Sequence, residues 1–167
     1  IDIHGQGCHG AMPHLGIDSI AIAAQTISAL QHIVSRNLDS AERAVVSVTQ
    51  IHGGDTYNIL PGTVRLSGGT RAFRPEIRDL LETNIRSTAS GIAAALGGRA
   101  EIHYQRRYPP TRNHPEAARH IYRVAQTLIG AERVQLNPPP SMAAEDFAIM
   151  LQERPGAYIW LGNGKPH

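Results

Sequence analysis

The sequence predicts an α+β fold, and three observations carry the prediction. Apolar and polar residues alternate at Ile1-Asp2-Ile3-His4 and again at Val64-Arg65-Leu66-Ser67, the period of half-buried strands. Two long segments instead repeat their apolar residues at helical spacing. Over residues 1–107 the elements run strand, helix, strand, strand, helix, strand. That order is the split βαβ, ferredoxin-like arrangement: an antiparallel sheet with both helices on one face.

Each element has a local cause. Asp18 is placed to cap the first helix, whose apolar positions are Ile20, Ala24, Ile27, Leu30 and Val34. Arg36 sits near its C-terminus, where the helix dipole favours a cation. Ala44 to Ile51 is rich in Val and Thr and reads as a strand, broken by His52-Gly53-Gly54-Asp55. Residues 63–73 form the next strand. Gly68-Gly69 inside it signals a bulge or a close backbone approach. Pro75 opens the second helix, where its missing N–H does no harm. Ile77, Leu81, Ile85, Thr88, Ile92 and Leu96 make its stripe, and Gly97-Gly98 ends it. Ala100, Ile102 and Tyr104 alternate with polar residues as a fourth strand.

Tyr108-Pro109-Pro110-Thr111 marks a boundary, because a proline pair cannot join a sheet interior. Residues 108–167 then read as a helix at Pro115 to Ile129, a stiff loop at Pro138-Pro139-Pro140, a short helix at Glu145 to Leu151 and a buried strand at Ala157 to Leu161. These elements are too few to close a core. They read as an incomplete part of an α/β domain, and the whole chain as a piece of a longer protein.

Composition narrows the function. With 167 residues and 41% hydrophobic content a packed core is attainable and global disorder is excluded. A net charge of +2 with scattered Lys and Arg is a poor footprint for nucleic acid, and Tyr104 and Phe73 are the only aromatics well placed on strands. A single cysteine excludes an intrachain disulfide and fits a reducing, cytoplasmic setting. No apolar run is long enough to span a membrane.

The densest chemistry lies in Gly5-Gln6-Gly7-Cys8-His9-Gly10-Ala11-Met12-Pro13-His14. Glycines allow turns that other residues resist, and a histidine on such a turn past a strand end reaches outward. Cys8 and His9 lack the spacing of a zinc site. There is no Gly-x-Ser-x-Gly elbow, no Gly-x-Gly-x-x-Gly and no complete phosphate loop. Taken alone, Asn58 is a favoured turn residue, Arg71 an exposed strand arginine or a fork for a carboxylate, and Glu145-Asp146 acids at a helix start.

Together the pieces form an ordered set. Gly7-Cys8-His9-Gly10-Ala11-Met12-Pro13, Val46-Ser47-Val48 running to His52-Gly53-Gly54, Asn58-Ile59-Leu60-Pro61, Gly69-Thr70-Arg71-Ala72-Phe73, Tyr108-Pro109-Pro110-Thr111-Arg112-Asn113, Ala144-Glu145-Asp146-Phe147 and Pro155-Gly156-Ala157-Tyr158 span nearly the whole chain. In this order they resemble the metal-dependent amidohydrolases that include hippurate hydrolase, aminoacylase-like enzymes and indoleacetyl-amino-acid hydrolases.

The resemblance implies a catalytic α/β domain holding two divalent ions, zinc or manganese, with a ferredoxin-like lid inserted into it that makes a homodimer. Residues 1–107 correspond to the lid and residues 108–167 to the return into the catalytic domain. It implies a catalytic His9 that polarises the scissile amide carbonyl, commonly in the partner subunit's site. Asn58 and Arg71 bind the carboxylate of a small N-acyl amino acid, and Glu145 supports the site. The family's metal ligands and catalytic glutamate precede the lid, so no metal is expected in this piece alone, and His167 falls too early to be the last ligand. The competing reading is a non-catalytic dimerisation or ligand-binding module of the same fold.

Overall fold

The computed structural model describes residues 1–164. It divides into two compact units, Ile1–Gln105 and Arg106–His167. In the first unit β1 (Asp2–His4), β3 (Ala44–His52), β5 (Thr63–Ala72) and β6 (Arg99–Glu101) form one sheet in the order β3-β5-β1-β6. All three pairings are antiparallel. Helices α1 (Ser19–Arg36) and α2 (Pro75–Ala95) cover the same face. This is the expected ferredoxin-like topology. A further two-stranded ribbon, β2 (Cys8–His9) with β4 (Ile59–Leu60), extends it.

The core follows from strand period. Ile3 pairs with Val64, and with Leu66 these side chains are driven under the helices. They meet Ile22 and Ala23 of α1 and Ala93 of α2. A second cluster joins Leu30 and Ile33 to Leu81 and Ile85. The opposite face holds Asp2, Arg65 and Glu101 in one cross-strand row.

Local signals held where they were specific. Asp18 Oδ1 accepts the amides of Ile20 (2.9 Å) and Ala21 (3.0 Å), an N-cap. The glycine pair in β5 marks both features that glycine suggested. The bulge lies in the partner strand, where the register slips between Val48 and Gln50. Gly68 faces it, and a Cβ there would stand 2.1 Å from the Ser47 carbonyl oxygen.

Three expectations for this unit need correction. The buried stripe of α1 is Ser19, Ile22, Ala23, Thr26, Leu30 and Ile33, leaving Ile20 and Ala24 exposed. That helix is apolar over much of its circumference, so its period allowed more than one face and the sheet selected between them. In α2 the alanines Ala89 and Ala93 are buried and Leu96 is exposed, because the helix already ends at Ala95. The fourth strand stops at Glu101: β1 offers partners only for Arg99 to Glu101, and the Ile102 carbonyl accepts from Arg86 Nη1 instead.

The second unit contains α3 (Pro115–Ile129) and α4 (Phe147–Glu153). Glu145 and Asp146 precede α4 rather than opening it, with Asp146 at its N-cap. Ala157 to Leu161 is not a strand. The side chain of Asn113 takes a strand partner's place, donating to the Tyr158 carbonyl and accepting its amide, both at 2.8 Å.

Candidate functional site

The ribbon β2–β4 puts His9 directly across from Ile59, beyond the end of the main sheet where His4 pairs with Thr63. Its glycines permit the close approach. A Cβ on Gly7 or Gly10 would lie 3.1 Å from the carbonyl oxygens of Leu60 or Asn58 respectively. Gly10 N–H donates to the Asn58 carbonyl at 2.8 Å, and Met12 N–H donates to the His9 carbonyl at 2.8 Å, closing a turn after the histidine.

That turn orients the ring. His9 is exposed, and its Nδ1 accepts the Ala11 amide at 3.1 Å. In a neutral imidazole the acceptor nitrogen carries no proton, so Nε2 is the donor and is free to act outward. Asn58 is prepared in a comparable way. Thr56 Oγ1 donates to Asn58 Oδ1 at 2.9 Å, leaving the Asn58 amide nitrogen as a donor. The structure thus brings His9 on β2 beside Asn58, the turn residue that leads into β4.

Arg71 lies elsewhere. It sits late in β5 across from Val45, on the face away from the helices. Eight residues of strand separate it from Thr63, about 26 Å at the usual rise per residue. The His9 ribbon leaves the sheet at the Thr63 end, so Arg71 and His9 occupy opposite ends of one lid. Arg71 Nη1 donates to the Thr70 carbonyl at 2.8 Å. It has no carboxylate partner among the described residues, so its fork remains available.

In the second unit Glu145 is half-buried just before α4. Desolvation and then a hydrogen bond with Glu145 push the Tyr158 phenol above its ordinary range. The Tyr158 ring stands 5.7 Å from Phe147 and 5.7 Å from Trp160. Glu145 is therefore tied to an aromatic group within its own unit. His167 lies outside the described residues.

One feature escaped sequence reasoning. The break after β3 builds the wall of an open cavity of about 440 Å³ beside the His9 ribbon. The run Gly53-Gly54-Asp55-Thr56-Tyr57 was its only signal, and it read as a loop.

Residues 1–97 match the family profile described as a peptidase dimerisation domain. This chain belongs to the M20 peptidase family. Relatives of this M20 chain include an N-acetyldiaminopimelate deacetylase of Leuconostoc mesenteroides, 39% identical over 100% of the chain and 43% of the relative. An N-acetyl-L-cysteine deacetylase of Bacillus subtilis is 36% identical over 100% of the chain and 39% of its own length. Among solved structures, the Bacillus subtilis YXEP protein, described as a dinuclear metal binding peptidase of the same family, aligns with a TM-score of 0.63 at 29% identity. It covers 93% of this chain and 38% of its own. The chain thus spans about two fifths of the curated relatives it matches.

Among the described residues of this M20 chain, no three His, Cys, Asp or Glu side chains are grouped to hold a metal ion. The donor set for a two-ion centre is not found in these residues. No described helix is long and apolar enough to cross a membrane.

Proposed function

We propose that this chain is the lid, with the adjoining part of the catalytic domain, of a cytoplasmic metal-dependent amidohydrolase. Its substrates are small N-acyl amino acids, hippurate-like in form, cleaved to a carboxylic acid and an amino acid. Zinc or manganese, two ions per site, are held by parts of the protein other than the residues described here. The observation that carries the proposal is the His9 ring, with Nδ1 occupied by the Ala11 amide and Nε2–H left outward.

That donor suits one task. Attack on an amide carbonyl builds negative charge on its oxygen, and a positioned N–H stabilises it more in the transition state than in the ground state. Arg71 serves a different one: a guanidinium fork that holds the substrate carboxylate and so sets the distance of the amide. Asn58 adds an amide donor beside His9. Glu145, hydrogen-bonded with Tyr158, is the supporting group of the catalytic-domain portion.

Because His9 and Arg71 stand at opposite ends of one lid, one small substrate cannot touch both in the same chain. The reading therefore places His9 and Asn58 of one protomer with Arg71 of its partner, in a homodimer made through the lid. The full-length protein tests the function directly. Hydrolysis of N-acetyl amino acids and hippurate is followed by release of free amine, before and after chelation and with zinc or manganese restored. Metal-dependent release supports the proposal. A folded dimer that releases no amine from any N-acyl amino acid with either metal overturns it in favour of a non-catalytic module.

A further inference from the structure

The cavity beside the His9 ribbon carries an inference about substrate choice, and it rests on the amidohydrolase reading above. Its walls include Gly10, Ile20, Gly54, Asp55, Tyr57 and Ile59. Ile59 pairs with His9 across the ribbon, and Gly10 follows His9 in the chain. Side chains of directly paired residues project to the same side of a ribbon, so the His9 ring and the Ile59 wall share one side.

Ile20, Ile59 and Leu60 make the aliphatic part of the lining, and Asp55, Thr56 and Tyr57 the part with polar groups. Asp55 is the one charged side chain among the described residues that line the cavity. Its carboxylate makes no hydrogen bond or ion pair with another described residue. Tyr57, two positions on, is fully exposed, its ring covered by none of the described residues. The segment carrying both is held in shape. Gly54 adopts φ 82°, a conformation that disfavours other residues, and Gly53 lies so close to β5 that a Cβ would stand 2.7 Å from Val64 Cγ2. Thr56 is bonded to Asn58. An unpaired carboxylate next to an uncovered aromatic ring, over aliphatic walls, is the chemistry that receives an alkylammonium group. The methylenes lie on Ile20 and Ile59, the charge meets Asp55, and the ring face adds a cation–π attraction.

We propose that the Gly53–Tyr57 loop is a specificity element that selects N-acyl amino acids bearing a second, cationic amino group at the end of a short alkyl chain. Asp55 supplies the charge and Tyr57 the ring. The same carboxylate repels the substrate's own carboxylate, which leaves that group to Arg71.

Two arms separate the possible sources of the ammonium group. In the full-length enzyme, kcat/KM for N-acetyl-L-lysine is compared with N-acetyl-L-norleucine, which lacks only the amine. A second comparison sets 6-aminohexanoyl-glycine against hexanoyl-glycine, moving the cation to the acyl side. The expected result is a preference for the cationic member of one pair that falls about fivefold in Asp55→Asn, the scale of a partly exposed ion pair. The preference declines as salt rises. Tyr57→Phe keeps it and Tyr57→Ala weakens it. Turnover of both pairs with no preference, or a preference unmoved by Asp55→Asn, overturns the loop's role while leaving the amidohydrolase reading intact.

Binding to the chain itself decides the matter independently of turnover. Titration of N-acetyl-L-lysine and of 6-aminohexanoyl-glycine, each followed by amide NMR shifts, should move Gly10, Asp55 and Tyr57 with at least one of them. Asp55→Asn should abolish the movement, and the neutral counterparts should not reproduce it. Absence of these localised shifts with both cationic compounds also overturns the inference. Absence of turnover on every N-acyl amino acid counts against the amidohydrolase reading alone, and the titration still reports on the loop.

Discussion

The Ala11 amide donates to Nδ1 of His9 at 3.1 Å, and this contact sets the tautomer of the exposed ring. Nitrogen NMR of the chain above the histidine titration range should find the proton on Nε2 of His9. Ala11→Pro removes the donor, and the Nδ1–H form should then rise measurably. In the full-length enzyme His9→Ala should lower kcat by about a hundredfold or more with little change in KM, the pattern of a group that acts on transition-state charge. A pure KM effect would remove His9 from the chemistry.

The opposite placement of His9 and Arg71 gives a test of how the site is composed. Arg71→Ala should act mainly on KM for substrates with a free carboxylate. His9→Ala and Arg71→Ala proteins should each be weak alone. After subunit exchange, hybrid dimers should hold one site with both residues intact. With random exchange half the dimers are hybrids, so about a quarter of wild-type activity should return. If one chain supplied both residues to a site, every site in the hybrid would carry a defect and no activity would return.

Asp2 and Arg65 pair across β1 and β5 at 2.6 Å. The hydrogen bond from Arg65 is the main cause that holds the Asp2 carboxyl below its ordinary value of 3.8. A carboxyl lowered in the folded state binds its proton less readily there than in the unfolded chain. Its contribution to stability is therefore complete above the unfolded value and is lost as pH falls through the lowered one. Thermal melts should show Asp2→Asn less stable than wild type at neutral pH. The gap should narrow below about pH 4. A gap that stays constant down to strong acid would show that the pair contributes nothing through its charge.

Gly68 lies against the bulge of β3 with no room for a side chain, its Cβ position 2.1 Å from the Ser47 oxygen. Gly68→Ala should destabilise the chain by about 1–3 kcal/mol in urea unfolding, as overpacking does. Gly91→Ala is the control, because a Cβ there meets nothing within 4 Å. That exposed helical position should gain a few tenths of a kcal/mol to about 1 kcal/mol. Equal effects at the two positions would contradict the register.

By itself the sequence determined the order of elements in the first unit, both helices and their caps, and the face that Val64 and Leu66 present. These depend on contacts within a few residues: the Asp18 carboxylate reaching its own helix, prolines opening helices, and strict alternation in a strand. It also nominated the candidate site residues, since His9, Asn58 and Arg71 stand in an ordered set of short motifs. What it left undecided are quantities set by partners distant in the chain. Whether Ile20 or Ile22 is buried depends on which side of a helix apolar over much of its circumference meets the sheet. Whether Ile102 and Tyr158 are strand residues depends on a neighbouring ladder, and each is met by a side chain instead. The tertiary structure alone set His9 and Arg71 at opposite ends of one lid, and it alone turned the Gly53–Tyr57 break into the wall of a cavity. Separation along a strand and the walls of an open cavity come from how strands pair, and pairing is non-local.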